Sequence, residues 1–181
     1  VSFDLLTIDL TGVNLFVGVG ASFSGETTTL ITGNATGFKA DSANLSAAMA
    51  KSTAANDTRR WTGIAASAAS MSVVGLPTDY TVEVKDLSVK YNTASGSFSG
   101  TNAVAVNWAS VITSGSSPIR SLTSDSNLLV SGLMRLNLRG YVLASGSFVV
   151  AKTPASVAVT ATETVTADLL TINLTSVNLF V

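Results

Sequence analysis

Residues 4–17 read DLLTIDLTGVNLFV and residues 168–181 read DLLTINLTSVNLFV, identical at twelve of fourteen positions with a constant offset of 164. The two differences are Asp9 against Asn173 and Gly12 against Ser176. A long match at fixed spacing marks a repeat period. The expectation is one repeat unit in residues 1–167 and the start of the next in 168–181, so that the chain is a slice of a longer tandem array. The candidate inter-repeat boundary residues are Asp4, Leu6, Ile8, Leu10, Val13, Leu15 and Val17 in the first copy. Their counterparts are Asp168, Leu170, Ile172, Leu174, Val177, Leu179 and Val181.

The same stretch predicts a β-strand with a phase slip. Apolar residues alternate at Leu6, Ile8 and Leu10, pause over Thr11 and Gly12, and resume at Val13, Leu15, Val17, Val19, Ala21 and Phe23. A period of two puts one set of side chains on one face, and two intervening residues exchange the parity. Continuous burial then needs a bulge or corner at Thr11–Gly12.

This template recurs at Phe38/Ala40/Ala43/Leu45, Ile64/Ala66/Ala69/Met71, Val82/Val84/Leu87/Val89, Leu136/Leu138/Tyr141/Leu143 and Ile172/Leu174/Val177/Leu179. The intervening pairs are Asp41–Ser42, Ser67–Ala68, Lys85–Asp86 and Arg139–Gly140. Adjacent strands that bend along one shared line are expected. Breaks are read at 25–28, 56–58, 75–79, 92–96, 114–117 and 152–154, where Gly, Asn, Asp, Ser and Pro gather. The alanine-rich segment 43–55 also suits a short helix. The reading is all-β: a multistranded, largely antiparallel bent sheet, as a β-sandwich or a solenoid-like tandem repeat, with strands of roughly 10 to 14 residues.

Composition removes much chemistry. The chain has no Cys and no His, which excludes disulfides, thiolate or imidazole metal sites and Cys/His or Ser/His nucleophile systems in this segment. Charged residues make up 12%, the net charge is -1 and the mean hydropathy is +0.46, a balance opposite to that of disordered chains. No field is available to attract nucleic acid, and no cofactor is expected. No run of about 20 apolar residues predicts a spanning helix. Alternating strands leave an outer-membrane barrel as a minor reading, with membrane insertion not expected.

Single residues read as structural. The glycines of GVGASFSG at 18–25 lack phosphate-loop spacing. Asp57 reads as the holder of a turn before Arg59, and Asp79, Glu83 and Asp86 as surface charge with no convergence on a pocket. Thr160, Thr162, Thr164 and Thr166 form a hydroxyl-rich ladder, and Asn34, Asn44, Asn56 and Asn173 stand in NxS/T sequons. Trp61, Trp108, Phe98, Phe148 and Tyr141 are the candidate core aromatics.

The stretches NDTRRW at 56–61, VVGL at 73–76 and VKYNTASG at 89–96 resemble repeats of giant secreted bacterial surface proteins of the LEPR-XLL and adhesin type. VNW at 106–108 and LNLRGYVLASGSFVV at 136–150 are similar to the closing half of the same unit. The resemblance implies a non-enzymatic structural repeat in an extracellular filament, stalk or surface-layer protein, located at the bacterial cell surface or outside it. Its partners would be neighbouring copies of the repeat, within one chain or between subunits. Surface glycans are the partners under an alternative adhesin reading, and part of a polysaccharide-processing enzyme is the minor alternative.

Overall fold

The computed structural model describes residues 2–26, 29–125 and 127–181. The expected class holds: seven long strands form one antiparallel sheet. In chain order the strands are β1 (Phe3–Val19), β2 (Ser22–Phe23), β3 (Leu30–Ile31), β4 (Thr36–Ser52), β5 (Arg60–Val74), β6 (Tyr80–Ser95), β7 (Ser97–Phe98), β8 (Thr101–Asn102), β9 (Leu128–Leu138), β10 (Val142–Ala158) and β11 (Thr164–Phe180). The sheet order is β1-β4-β5-β6-β9-β10-β11, with β2–β3 and β7–β8 as two small ribbons at its ends. Six of the seven long strands have 15 to 17 residues, longer than the sequence reading allowed, and β9 has 11.

Residues 43–52 lie in β4, so the helical option there is overturned. Alanine's helix preference loses because Ala48 and Ala50 supply the small surface on which a bulkier layer rests. That layer is the segment between β8 and β9, which holds helix α1 (Trp108–Val111) and a 3-10 helix at Pro118–Ser121. Trp108, Ile119 and Leu122 are fully buried against Ala48 and Ala50, flanked by Trp61, Val106, Val111 and Ile112. Asn107 caps α1 by accepting the Ala109 N–H at 3.0 Å.

Beneath this layer lies Asn92, where the sequence reading placed a chain break. β6 instead runs on to Ser95, and Asn92 is completely buried. It accepts the Trp108 indole N–H at 2.9 Å and donates to the carbonyls of Val106 and Thr123 at 2.8 and 2.7 Å. Every polar group of the amide thus has a partner, which offsets its desolvation.

Other expectations also change. β1 stops at Val19, because Gly20 takes φ 82°, and Phe23 belongs to β2. Lys152–Pro154 does not interrupt β10; Pro154 lies beyond the last β9 pair, Lys152 with Leu128, so its missing donor faces no β9 partner. Thr160 and Thr162 sit in the turn before β11, leaving only Thr164 and Thr166 of the ladder on the strand. Tyr141 is 76% exposed at the tip of the β9–β10 turn, outside any core. The turn expected at 25–28 includes residues 27 and 28, which lie outside the described residues.

The phase slip is real in five of the six places where it was read, four of them at a left-handed residue. Gly12, Ser42, Asp86 and Ser176 take φ of 64°, 51°, 51° and 53° inside β1, β4, β6 and β11. β5 changes parity between Ala66 and Met71 in step with its neighbours, with none of its residues at positive φ. Arg139–Gly140 is no bend at all. Both residues have positive φ and close the β9–β10 hairpin, as a type I′ turn requires.

β9 crosses the bend line without a slip, and so identifies the faces. Leu128, Val130, Gly132, Met134 and Leu136 share one side of it. Their neighbours across the ladders are Tyr91, Val89, Val84 and Val82 in β6 and Val150, Phe148 and Ala144 in β10. The parity change in β6 therefore keeps apolar side chains on one side of the sheet above and below the bend. The α1 layer covers part of the opposite side, where Ala48, Ala50, Gly63 and Asn92 point.

Gly63 tests this packing. A β-carbon there would overlap the indole of Trp108, with Nε1 the nearest atom. Gly63→Ala should lower the stability by about 1–3 kcal/mol and expose Trp108. Urea unfolding with tryptophan fluorescence reads both effects; an unchanged midpoint and emission maximum would show that the layer is not seated on Gly63.

Candidate functional site

The boundary candidates do not meet. Those of 4–17 lie on β1 at one edge of the sheet, and those of 168–180 on β11 at the other, with Val181 just past the strand. Both strands are solvent-exposed along almost their whole length. Leu6, Leu15 and Val17 are 56%, 54% and 63% exposed, and Leu170, Ile172 and Leu179 are 59%, 68% and 67% exposed.

The two edges are equivalent strands in equivalent attitudes. Six antiparallel pairings separate them, so β1 and β11 run in the same direction. The ladder row starting at Ile8 passes through Ala47, Ile64, Tyr91, Leu128 and Lys152 and ends on Leu170, the counterpart of Leu6. Beyond the bend, the row from Phe16 passes through Lys39, Ser72, Glu83, Arg135 and Ser145 to Asn178, the counterpart of Asn14. Both rows arrive two residues early. An even displacement preserves the face, so each side chain of β11 points to the same side as its β1 counterpart.

At the bend, β1 and β4 exchange a reciprocal pair of hydrogen bonds. The Gly12 N–H donates to Asn44 Oδ1 at 3.0 Å and the Ser42 N–H donates to Asn14 Oδ1 at 3.1 Å. Each left-handed residue has an asparagine two positions on, and each amide oxygen takes the N–H that the neighbouring strand's bulge releases from the ladder. Asn44 also donates from Nδ2 to the Ser42 carbonyl at 3.5 Å and to Ser67 Oγ at 3.3 Å. In β11 the device reappears: Ser176 at φ 53°, and Asn178 Nδ2 donating to the Ser176 carbonyl at 3.2 Å. Among the described residues, no strand lies on the outer edge of β11 to complete it.

These asparagines were missed as site residues. The signal was present as Gly12-x-Asn14, Ser42-x-Asn44 and Ser176-x-Asn178, the second residue of each intervening pair followed two positions later by Asn.

Charged groups are tied into structure. Asp9 Oδ1 accepts from Ser46 Oγ at 2.5 Å and Ser117 Oγ at 2.8 Å, and these two hydroxyls hold its carboxyl below the usual range. Lys152 pairs with Asp168 at 2.7 Å across β10 and β11. Glu83 lies within 3.7 Å of Lys85 and 3.5 Å of Arg135. Asp57 accepts the Arg59 backbone N–H at 3.0 Å and a bidentate contact from its guanidinium, with Nη2 at 2.7 Å, and so holds the β4–β5 turn as read from sequence. The guanidinium is flanked by the rings of Trp61 and Phe98 at 5.8 and 5.4 Å. Among the described residues, no group of three or more His, Cys, Asp or Glu side chains is placed to hold a metal ion.

Comparison with protein-family models, curated proteins and solved structures gives no match to this chain. The chemistry of the described residues is that of strand edges and register locks.

Two predictions follow from these contacts. Asn14→Ala and Asn44→Ala each strand one backbone N–H at the bend and should each cost about 1 kcal/mol, read as a drop in urea midpoint; Asn34→Ala, outside the device, serves as control. The Arg59 guanidinium depresses the Asp57 pKa first and foremost, so its contribution is complete above the ordinary Asp value near about 4 and fades as pH falls through the folded value. The stability gap between wild type and Asp57→Asn should therefore be widest near neutrality and shrink progressively from pH 5 to pH 2. A gap independent of pH would show that the ion pair is not its source.

Proposed function

We propose that this chain is a structural unit of a tandem β-array, in which blocks of six strands repeat to build an extended stalk or filament. One observation carries the reading: strands of nearly identical sequence stand at the two opposite edges of one sheet, in the same direction and on the same face.

The edges themselves support it. Exposed strand edges normally carry Lys, Pro or other devices against unwanted pairing. β1 and β11 are 17 residues long, contain neither Lys nor Pro, and bear only Asp4 and Asp9, and Asp168, as charges. The small stagger supports an open array over a closed barrel. Two residues of displacement over six strands corresponds to a strand tilt of roughly 13°, against about 35–45° in barrels. An extracellular bacterial surface setting rests on the resemblance of segments 56–61, 73–76 and 89–96 to repeats of giant surface proteins.

Proteins of one, two and three periods, joined so that each new copy resumes at Gly18 after Val181, test the reading by small-angle scattering. The expected result is a rod whose maximum dimension grows by an equal increment with each period. Compact particles whose dimension fails to grow would sink it.

A further inference from the structure

We infer that β11 is already the first strand of the next block: its outer edge takes the β4 strand of a second copy of this chain, in the register that β4 has against β1. This deepens the tandem reading and rests on it. β11 runs in the direction of β1 with the same face up, and its β10 neighbour lies on the side opposite to that on which β1 carries β4. Its vacant edge is therefore the β4-binding edge. The Ser176 N–H donates there to the second copy's Asn44 Oδ1, and Asn178 Oδ1 accepts the second copy's Ser42 N–H, as Gly12 and Asn14 do within one copy.

Both substitutions between the copies fit this junction. Ser176 replaces Gly12 at a left-handed position, and Ser42 already holds φ 51° in the same bend. Asn173 replaces Asp9, whose two hydroxyl donors, Ser46 and Ser117, both land on the single oxygen Oδ1. One amide oxygen has the lone pairs to receive the same two hydroxyls. On the opposite edge, β1 takes the place that β11 has against β10. Asp4 then meets the preceding copy's Lys152, as Asp168 does at 2.7 Å. The junction is therefore uninterrupted sheet, with no linker between units.

The test uses the two-period protein, which contains no native cysteine. Leu6 and Met49 are opposite each other on β1 and β4, and both are exposed. Directly opposed positions lie within disulfide reach. Leu170→Cys in the first copy with Met49→Cys in the second should close on mild oxidation to the same extent as Leu6→Cys with Met49→Cys inside the first copy. Moving the second cysteine two residues to Ala47 or Lys51 should reduce closure several-fold, and Asn178→Ala should slow it. Closure of the internal pair without closure at the junction overturns the inference; if the scattering rod still lengthens, the periods are beads and the tandem reading survives. If neither occurs, both fall.

Discussion

The bend is the constraint on which the rest of this structure depends. A strand that changes parity part-way must release a backbone N–H from its ladder, and an unpaired donor between two strands would cost more than the bend gains. β1 and β4 solve this symmetrically, each supplying the asparagine oxygen that the other's left-handed residue needs. The exchange fixes register as well as satisfying donors, because a slip by one residue would separate both amides from both N–H groups. With register fixed at the bend, the apolar sets on either side of it fall on one face of the sheet.

That face and its opposite are built on different terms. On the side bearing α1, Ala48, Ala50 and Gly63 leave space for Trp108, Ile119 and Leu122, and the buried amide of Asn92 anchors the covering segment at three points. The other side is broad and mostly apolar, interrupted by the Lys152–Asp168 pair, with Leu6, Met49 and Leu170 exposed on it. A seven-stranded sheet can hold itself together by its ladders and by one covered side, where a lone hairpin could not. Its two outer strands are exposed along almost their whole length.

Much of this was legible because β-structure writes its period directly into the sequence. The all-β class, the slips at Gly12, Ser42, Asp86 and Ser176, and the repeat at the two ends all come from spacing alone. What escaped was whatever depends on a distant partner. Arg139–Gly140 imitates a bend because a turn of two left-handed residues occupies the same gap in an apolar alternation. Asn92 imitates a break because a buried asparagine looks polar until Trp108 and the carbonyls of Val106 and Thr123 are placed around it. The structural role of Asn14, Asn44 and Asn178 went unread for the same reason: it is a contact with the next strand, and the sequence records Asn44 only as a sequon and the other two only as polar residues in a strand.

The two edges also decide what kind of assembly they can make. An isologous contact brings the same patch of two molecules together, whereas the outer edges of β1 and β11 are opposite sides of one strand type. One lacks a β10 and the other lacks a β4. Under the proposed tandem reading each is satisfied by the other end of an equivalent unit, which is a head-to-tail relation. Head-to-tail contacts close into a ring or run open according to the rotation between successive units. Here β11 repeats β1 in direction and face with only two residues of slide, so the stagger is too small for the strand tilt of ordinary closed barrels. In the proposed array, the same register that keeps the apolar sets on one face within one block carries them, shifted by two residues, into the next.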